Sequence, residues 1–471
     1  MAEIKAGLEI HQQLDTNKLF CSCPSLLRSD PPEFTVERKL NPVVGETGKI
    51  DIAAEYEKTK NKTFTYEVYD TNCLVELDEE PPHQINPQAV DIALQIALLF
   101  NCKIFPVAQI MRKTVIDGSN TSGFQRTVLI GHDGFIETNE GKVGIETIAL
   151  EEDAARIIKH EGSKSTFRLD RLGIPLVEIT TKPDLKSAEQ IKEAALKIGE
   201  ILRAAKVKRG IGTIRQDLNI STPKHPRVEI KGFQNPKIMI NTIENEVKRQ
   251  QETTKEKKAK GEVRKTNPDA TTSFLRPMPG AARMYPETDI PLLKISRQML
   301  NNAKNNLPKL TSEHRSYLKE FGLNDELIKL VLKQNKMQDF EFLINTINNP
   351  NLIAKTLTIF PKEIAKKENK PIEEIYKIFN TDILESILEQ VEKGKISEND
   401  IKPTMQKIAS GMNLKQAIQK EKINLKDEIQ TFIKQKPDLS INAYMGLIMA
   451  KFKGKVSGAE VMEELKNQIP Q

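Results

Sequence analysis

No stretch of the chain approaches the roughly 20 consecutive apolar residues that span a bilayer, although 38% of its 471 residues are apolar. A membrane-embedded protein is therefore not expected. Cysteine is scarce too: Cys21, Cys23, Cys73 and Cys102 are too few and too unevenly spread for a disulfide framework in a chain of this length. The opening, MAEIKAGLEIHQQL, carries acidic residues and strand-like alternation where a secretory leader would be basic and then apolar. A cytoplasmic location with reduced thiols is expected. Several catalytic motifs are missing as well. GETGKI at 45–50 has the wrong glycine spacing for a Walker loop and no Ser or Thr after Lys49. The sequence contains no G-x-G-x-x-G, no H-E-x-x-H and no G-x-S-x-G turn. If a nucleotide binds, a metal and cationic side chains on a sheet must hold its phosphates.

What is present points to a modular protein, because 471 residues exceed one ordinary core and suggest two to four domains. Up to about residue 290, short alternating segments are broken by Gly, Pro, Asn and Asp, as strands joined by turns would be. Helices are expected within this half at Pro87–Phe100, Ser187–Lys206 and Thr242–Lys260, making it α+β. The charged stretch KRQQETTKEKKAKGEVRK at 248–265 reads as a helix running into a loop. From Ile295 onward the apolar residues recur at spacings of three and four, as in NDELIKLVLKQNK, and the chain should be helical. SGMN at 410–413 marks a further boundary. Three domains are expected: 1–292, an α+β domain with an antiparallel sheet; 293–410, all helical; and 411–471, a small helical tail. Residues 401–471 hold twelve lysines and no arginine against seven acids, a local charge of +5. That excess suits attraction to a phosphate backbone, and equally suits a solvated helical surface.

Five segments alternate with an unusual polar face. Alternate residues of a strand share a sheet face, so GLEIHQQL sets Glu9 and His11 on one side and Leu8 and Ile10 on the other. Glu178 interrupts the apolar run GIPLVEITT, and Glu151 and Asp153 share a face in ETIALEEDAARI if the strand continues that far. GTIRQDLNIST aligns Arg215, Asp217, Asn219 and Ser221, and RVEIKGF aligns Arg227, Glu229 and Lys231. Carboxylates from several strands suit a hard divalent cation such as Mg²⁺, and Arg and Lys beside them suit phosphate. A solvent-facing sheet with cross-strand ion pairs would show the same periodicity, so spacing alone leaves both readings open.

Longer strings carry more. GLEIHQQLDTNKLFCSCP, LEEDAARI, DRLGIPLVEITTKPD, GTIRQDLNIS, VEIKGFQN, RPMPGAARMYPETDIP and MGLIMAKFKGKVSGAEVMEELK resemble the B and E subunits of the tRNA-dependent amidotransferases. These convert Glu-tRNA(Gln) to Gln-tRNA(Gln). GLEIHQQL, SGFQRT and RPMPGAARMYPETD resemble the archaeal E type. The resemblance implies that residues 1–292 form a cradle-shaped kinase and transamidase domain, that 411–471 helps hold tRNA, and that an asparaginase-like D subunit supplies ammonia. It implies ATP as phosphoryl donor and Mg²⁺ on Glu9, Glu151 and Glu178, with His11 beside them as part of the catalytic group. Arg215, Asp217, Asn219, Glu229 and Lys231 fall in matching motifs of the pocket. Ser119, Asn120, Gln125 and Arg126, in GSNTSGFQR, are expected to contact nucleotide or substrate.

Two departures stand out. The E type carries an insertion resembling one in aspartyl-tRNA synthetases, where here only VRKTNPDATTSFL bridges the gap. Some B-type relatives carry a zinc knuckle, C-x-C followed by C-x-x-C. Here Cys21 and Cys23 form the first pair and Asp70 with Cys73 stands at the second, so Cys21, Cys23 and Cys73 are the Zn²⁺ candidates. Cys102 is expected in a core. A tRNA-binding adaptor without catalysis and a protein-binding scaffold remain as rivals, and both leave the carboxylates idle.

Overall fold

The computed structural model describes residues 3–469 except 47, 279–282, 419–424, 438 and 453–457. Parts of RPMPGAARMYPETD and of the tail motif MGLIMAKFKGKVSGAEVMEELK therefore lie outside the described residues. The chain divides into two compact units, Met1–Thr311 and Ser312–Gln471.

The first unit is built on an eleven-stranded sheet. Ten of its strands are β1 (Lys5–Gln13), β2 (Met111–Thr114), β3 (Phe124–Thr138), β4 (Gly141–Glu152), β5 (Pro175–Thr181), β6 (Ile214–Ser221), β7 (Val228–Lys231), β8 (Glu262–Thr266), β9 (Thr272–Pro277) and β10 (Met284–Pro286). Their order is β9-β8-β7-β6-β1-β5-β4-β3-β2-β10, with the short strand Lys103–Ile104 beside β3. The expected antiparallel sheet needs one amendment, because β7 and β8 run parallel. Parallel neighbours require a crossover, and helix α3 (Met239–Lys255) provides it. The expected loop at the end of that charged stretch instead contains β8, whose Val263 is fully buried.

Alternation explains why the sheet has two unlike faces. Leu8, Ile10, Ile148, Leu150, Val177, Ile179, Leu218, Ile220, Val228 and Ile230 are fully buried in one core. That core also takes the apolar sides of α1 (Pro87–Leu99), α2 (Ala188–Ala204) and α3. Asn86 and Ser187 cap α1 and α2 by accepting backbone N–H bonds, and Pro87 occupies the first turn of α1, where its missing N–H costs nothing.

The opposite face curls inward. Ten strands in a flat sheet, with nine spacings of ~4.8 Å, would separate β9 from β10 by about 43 Å. The seven steps from Pro277 to Met284 can reach only about 25 Å. In agreement, Arg276 on β9, Thr114 on β2 and Arg283 line one opening. The β10 edge is fastened by a buried carboxylate: Glu287 accepts from Arg112 Nε at 2.9 Å and from Arg126 Nε at 2.9 Å. A smaller sheet, Phe34–Arg38, Thr63–Val68, Lys164–Arg168 and Arg156–Glu161, packs around Phe64, Tyr66 and Phe167.

Helix Arg297–Asn305 contributes Ala303 to the sheet's core, so the first unit extends past residue 292 to Thr311. In the second unit every described element is helical. Its helices bury two separate apolar clusters, one from Leu318 to Ala409 and one formed by Ile429, Tyr444, Ile448, Val461 and Leu465. Among the described residues no helix is long and apolar enough to cross a membrane.

Candidate active site and cysteine cluster

Strand pairing brings distant residues onto the curled face. His11 lies directly opposite Glu178 on β5 and Arg215 on β6, while Glu9 lies opposite Thr180 and Asp217. Glu151 on β4 pairs with Leu176 on β5 and Thr127 on β3, and Lys113 on β2 with Gln125 on β3. Directly paired residues project to the same side. His11 Nε2 is thereby 3.1 Å from Glu178 Oε2 and 3.7 Å from Glu9 Oε1. Lys113 Nζ donates to Glu151 at 2.5 Å and lies 3.4 Å from Glu178, and Gln125 donates to Glu151 at 3.0 Å.

Burial and charge set the protonation of this group. Burial, reinforced by the neighbouring Glu178 charge, pushes the Glu9 carboxyl up to about 7. Glu151 is also raised, by burial and by Glu178, against the pull of Lys113. Burial would raise Glu178 as well, but Lys113 and the His11 hydrogen bond hold it well below the usual carboxylate range. The His11 imidazole is raised because Glu178 and Glu9 outweigh its burial. Ligand atoms of Glu9, His11 and Glu178 lie within 4.8 Å of one another, close enough to share one cation. Two carboxylates crowded together, whose mutual repulsion a bound cation would relieve, form a donor set suited to a hard divalent ion.

The other expected pocket residues divide. Lys231 bridges Asp217 at 2.8 Å and Glu229 at 2.6 Å, and its charge reaches Glu9. Asn219 stands opposite Glu229 and Gly7 on the same face. Arg215 donates to Asp153 at 2.8 Å, and Asp153 also accepts from Gln13 at 2.6 Å. Ser119 and Asn120 are not brought to the carboxylates. Ser119 Oγ donates to Asp117 at 2.6 Å, buried Asn120 follows it, and Thr121 donates to the Glu76 carbonyl. Arg126 points off the curled face into the pairs with Glu152 and Glu287, over the rings of Phe20 and Phe124.

Sequence reasoning missed Lys113, and it placed Asp153 beside Glu151 only on condition that the strand continued. MRKT is too short for its alternation to be read, and β4 ends at Glu152, so Asp153 reaches Gln13 and Arg215 from the following turn.

The cysteines also converge. Cys21, Cys23 and Cys73 gather with Glu76, their ligand atoms within 4.8 Å of one another. Cys21 Sγ lies 2.9 Å from Glu76 Oε1, and fully buried Lys18 is 3.2 Å from the same oxygen. The Cys21 hydrogen bond lowers the Cys23 thiol to about 7, while burial and Glu76 push Cys73 up to about 12. The carboxylate here is Glu76 and not Asp70, which is exposed and paired with Arg28. Cys73-x-x-Glu76 was the spacing that could have revealed it. Cys102 sits in the main core, as its apolar context suggests.

The profile of the GatB/GatE catalytic domain matches residues 4–301. Archaeal proteins named as the E subunit of glutamyl-tRNA(Gln) amidotransferase are similar over nearly the whole chain. That of Methanocaldococcus jannaschii is 36% identical, with 99% of this chain and 98% of the relative covered. That of Sulfurisphaera tokodaii is 32% identical with the same coverage. The first match runs over 619 positions, and with 471 residues here at least 148 of them have no counterpart in this chain.

The placement of Gln125 and Arg126 on opposite faces has a measurable consequence. Arg126→Gln strips the buried Glu152 of its cation, leaves Glu287 to Arg112 alone, and should cost ~3 kcal/mol or more of stability. Gln125→Ala should cost under about 1 kcal/mol. Urea unfolding of both variants checks this, and equal midpoints would refute the assigned orientation.

Proposed function

The chain belongs to the GatB/GatE family of tRNA-dependent amidotransferases, and from that premise we propose that it converts glutamate carried on tRNA(Gln) to glutamine at the curled face of the sheet. The observation that carries this reading is the convergence of Glu9, His11, Glu151, Glu178 and Lys113 from four strands onto one concave face. A carboxylate resists amines because oxide would be its leaving group. Transfer of the γ-phosphoryl group of ATP to the glutamyl side chain makes an acyl phosphate and ADP. Ammonia then forms the C–N bond as the C–O bond to phosphate breaks, and the nitrogen loses a proton.

Mg²⁺ would be held by the oxygens of Glu9 and Glu178, with Glu151 alongside, and would supply charge neutralisation at the polyphosphate. Lys113 keeps Glu151 and Glu178 compensated, and His11 fixes the Glu178 carboxylate through Nε2. Lys231, Asp217, Asn219, Glu229 and Arg215 border this group and form the substrate side of the pocket. Ammonia would come from an asparaginase-like companion in the cytoplasm. With no counterpart here to at least 148 of the 619 positions of the first match, tRNA contact would fall largely to the lysine-rich residues 411–471.

The direct assay supplies Glu-tRNA(Gln), Mg²⁺, ATP and ammonium to the pure chain and identifies the amino acid after deacylation. The chain should form glutamine, and Glu9→Gln, Glu151→Gln and Glu178→Gln should each lower the rate by about a hundredfold or more while remaining folded by circular dichroism. Normal turnover in all three would overturn the assignment. An adaptor would bind tRNA without consuming ATP, and a scaffold would do neither.

Three thiols and a carboxylate fit the donor chemistry of a structural zinc site. Elemental analysis of the purified chain should find about one zinc per chain, lost in Cys73→Ser, weakened in Glu76→Gln and unchanged in Asp70→Asn. Metal-free protein, or loss in Asp70→Asn, would count against it.

Deletion of residues 411–471 should weaken tRNA binding and flatten its dependence on salt, because fewer phosphate contacts release fewer counterions. Identical salt slopes for the two forms would show that these lysines only solvate helices.

A further inference from the structure

Two arginines from opposite ends of the large sheet meet at one opening. Arg276 lies opposite Val263, which lies opposite Glu229, so by register it projects to the curled face. Arg283, just before β10, donates Nε to the Thr114 carbonyl at 3.2 Å, next to Lys113. Its charge is close enough to act against that of Lys113, although Glu151 and Glu178 keep the lysine's affinity for its proton raised. Arg283 thus stands between the opening that Arg276 also lines and Lys113, the cation of the carboxylate group.

The acids at this opening are engaged elsewhere. Asp51 accepts the backbone N–H groups of Ala53 and Ala54, Glu57 pairs with Lys60 at 2.6 Å, and Asp117 accepts from Ser119. Among the described residues neither arginine has an ion-pair partner, although both are half-buried. A partly desolvated guanidinium without a counterion is costly, and its planar fork matches phosphate oxygens.

We propose that Arg276 and Arg283 form a clamp for the polyphosphate of the nucleotide, bridging the two ends of the sheet beside the carboxylate group. The clamp rests on the proposed use of ATP and extends it to two residues outside the carboxylate motifs. It gives a role to the meeting of the two guanidiniums at one opening, from strands that a flat sheet would hold far apart.

Calorimetric titration of the full chain with ATP in the presence of Mg²⁺ tests the clamp, with adenosine titrated in parallel. Arg276→Gln and Arg283→Gln should each weaken ATP by about tenfold or more and leave adenosine unchanged, with Arg276→Lys in between. Arg276→Gln should melt like the wild type, since the residue has no internal ion pair to lose. ATP affinity unchanged in Arg276→Gln overturns the clamp. So does a variant that keeps ATP affinity but loses tRNA affinity, which would assign these arginines to the tRNA backbone. If the wild-type chain itself binds no ATP, the functional reading falls and the clamp with it.

Discussion

Glu178 is an ionised carboxylate with little access to water, and its neighbours are arranged around that cost. Leaving such a charge uncompensated costs several kcal/mol. Lys113 and His11 reach it from β2 and β1, strands that lie on opposite sides of β5. Each strand therefore has its register tied to one oxygen pair. A one-residue slip of β1 would turn Glu9 and His11 into the apolar core and Leu8 and Ile10 onto the charged face. Hydrophobic burial and charge compensation thus enforce the same register.

Curvature makes that register useful. On a flat sheet the carboxylates would face water and behave as ordinary surface pairs, worth little. The parallel crossover through α3 lets β8 and β9 extend the sheet beyond β7, while β10, seven positions after β9, lies at the far edge. Glu287, chelated by Arg112 and Arg126 behind the curled face, holds the arriving strand in place. Fastening and chemistry occupy opposite faces of the same strands, which is why adjacent residues such as Glu151 and Glu152 have different partners.

Much of this was legible because alternation is a local property. Glu9, His11 and Glu178 could be placed on one face from their own strands, and the helices of both units from their apolar spacing. Arg126 shows the limit of a motif taken whole: it neighbours Gln125, so only one of the two could join Glu151, and the strand period alone would have separated them. Lys113 lacked enough surrounding strand to be read, and Asp153 acts from beyond a strand end. Glu76 was missed because the second ligand pair was read as Asp70 and Cys73, although Cys73-x-x-Glu76 has the same spacing. What sequence could not convey was the closure of the sheet, which depends on strand order and not on any residue.

The cysteine cluster and the carboxylate face are one mechanical system. The segment after β1 carries Lys18, Cys21 and Cys23 to Glu76, and Leu19 donates its N–H to the Gly173 carbonyl. Gly173 in turn donates to the Asp153 carbonyl, and Asp153 N–H donates to the Ile174 carbonyl. The Asp153 carboxylate then binds Gln13 at the end of β1 and Arg215 on β6. A closed circuit thus runs from β1 through Leu19, Gly173 and Asp153 and back to β1. Thr121 joins it by donating to the Glu76 carbonyl, so the 119–126 segment that presents Gln125 to Glu151 is held by the same cluster. Groups that never touch the carboxylates thus brace the strands that carry them: Asp153 ties the end of β1 to β6, and Glu76 holds the segment leading to Gln125.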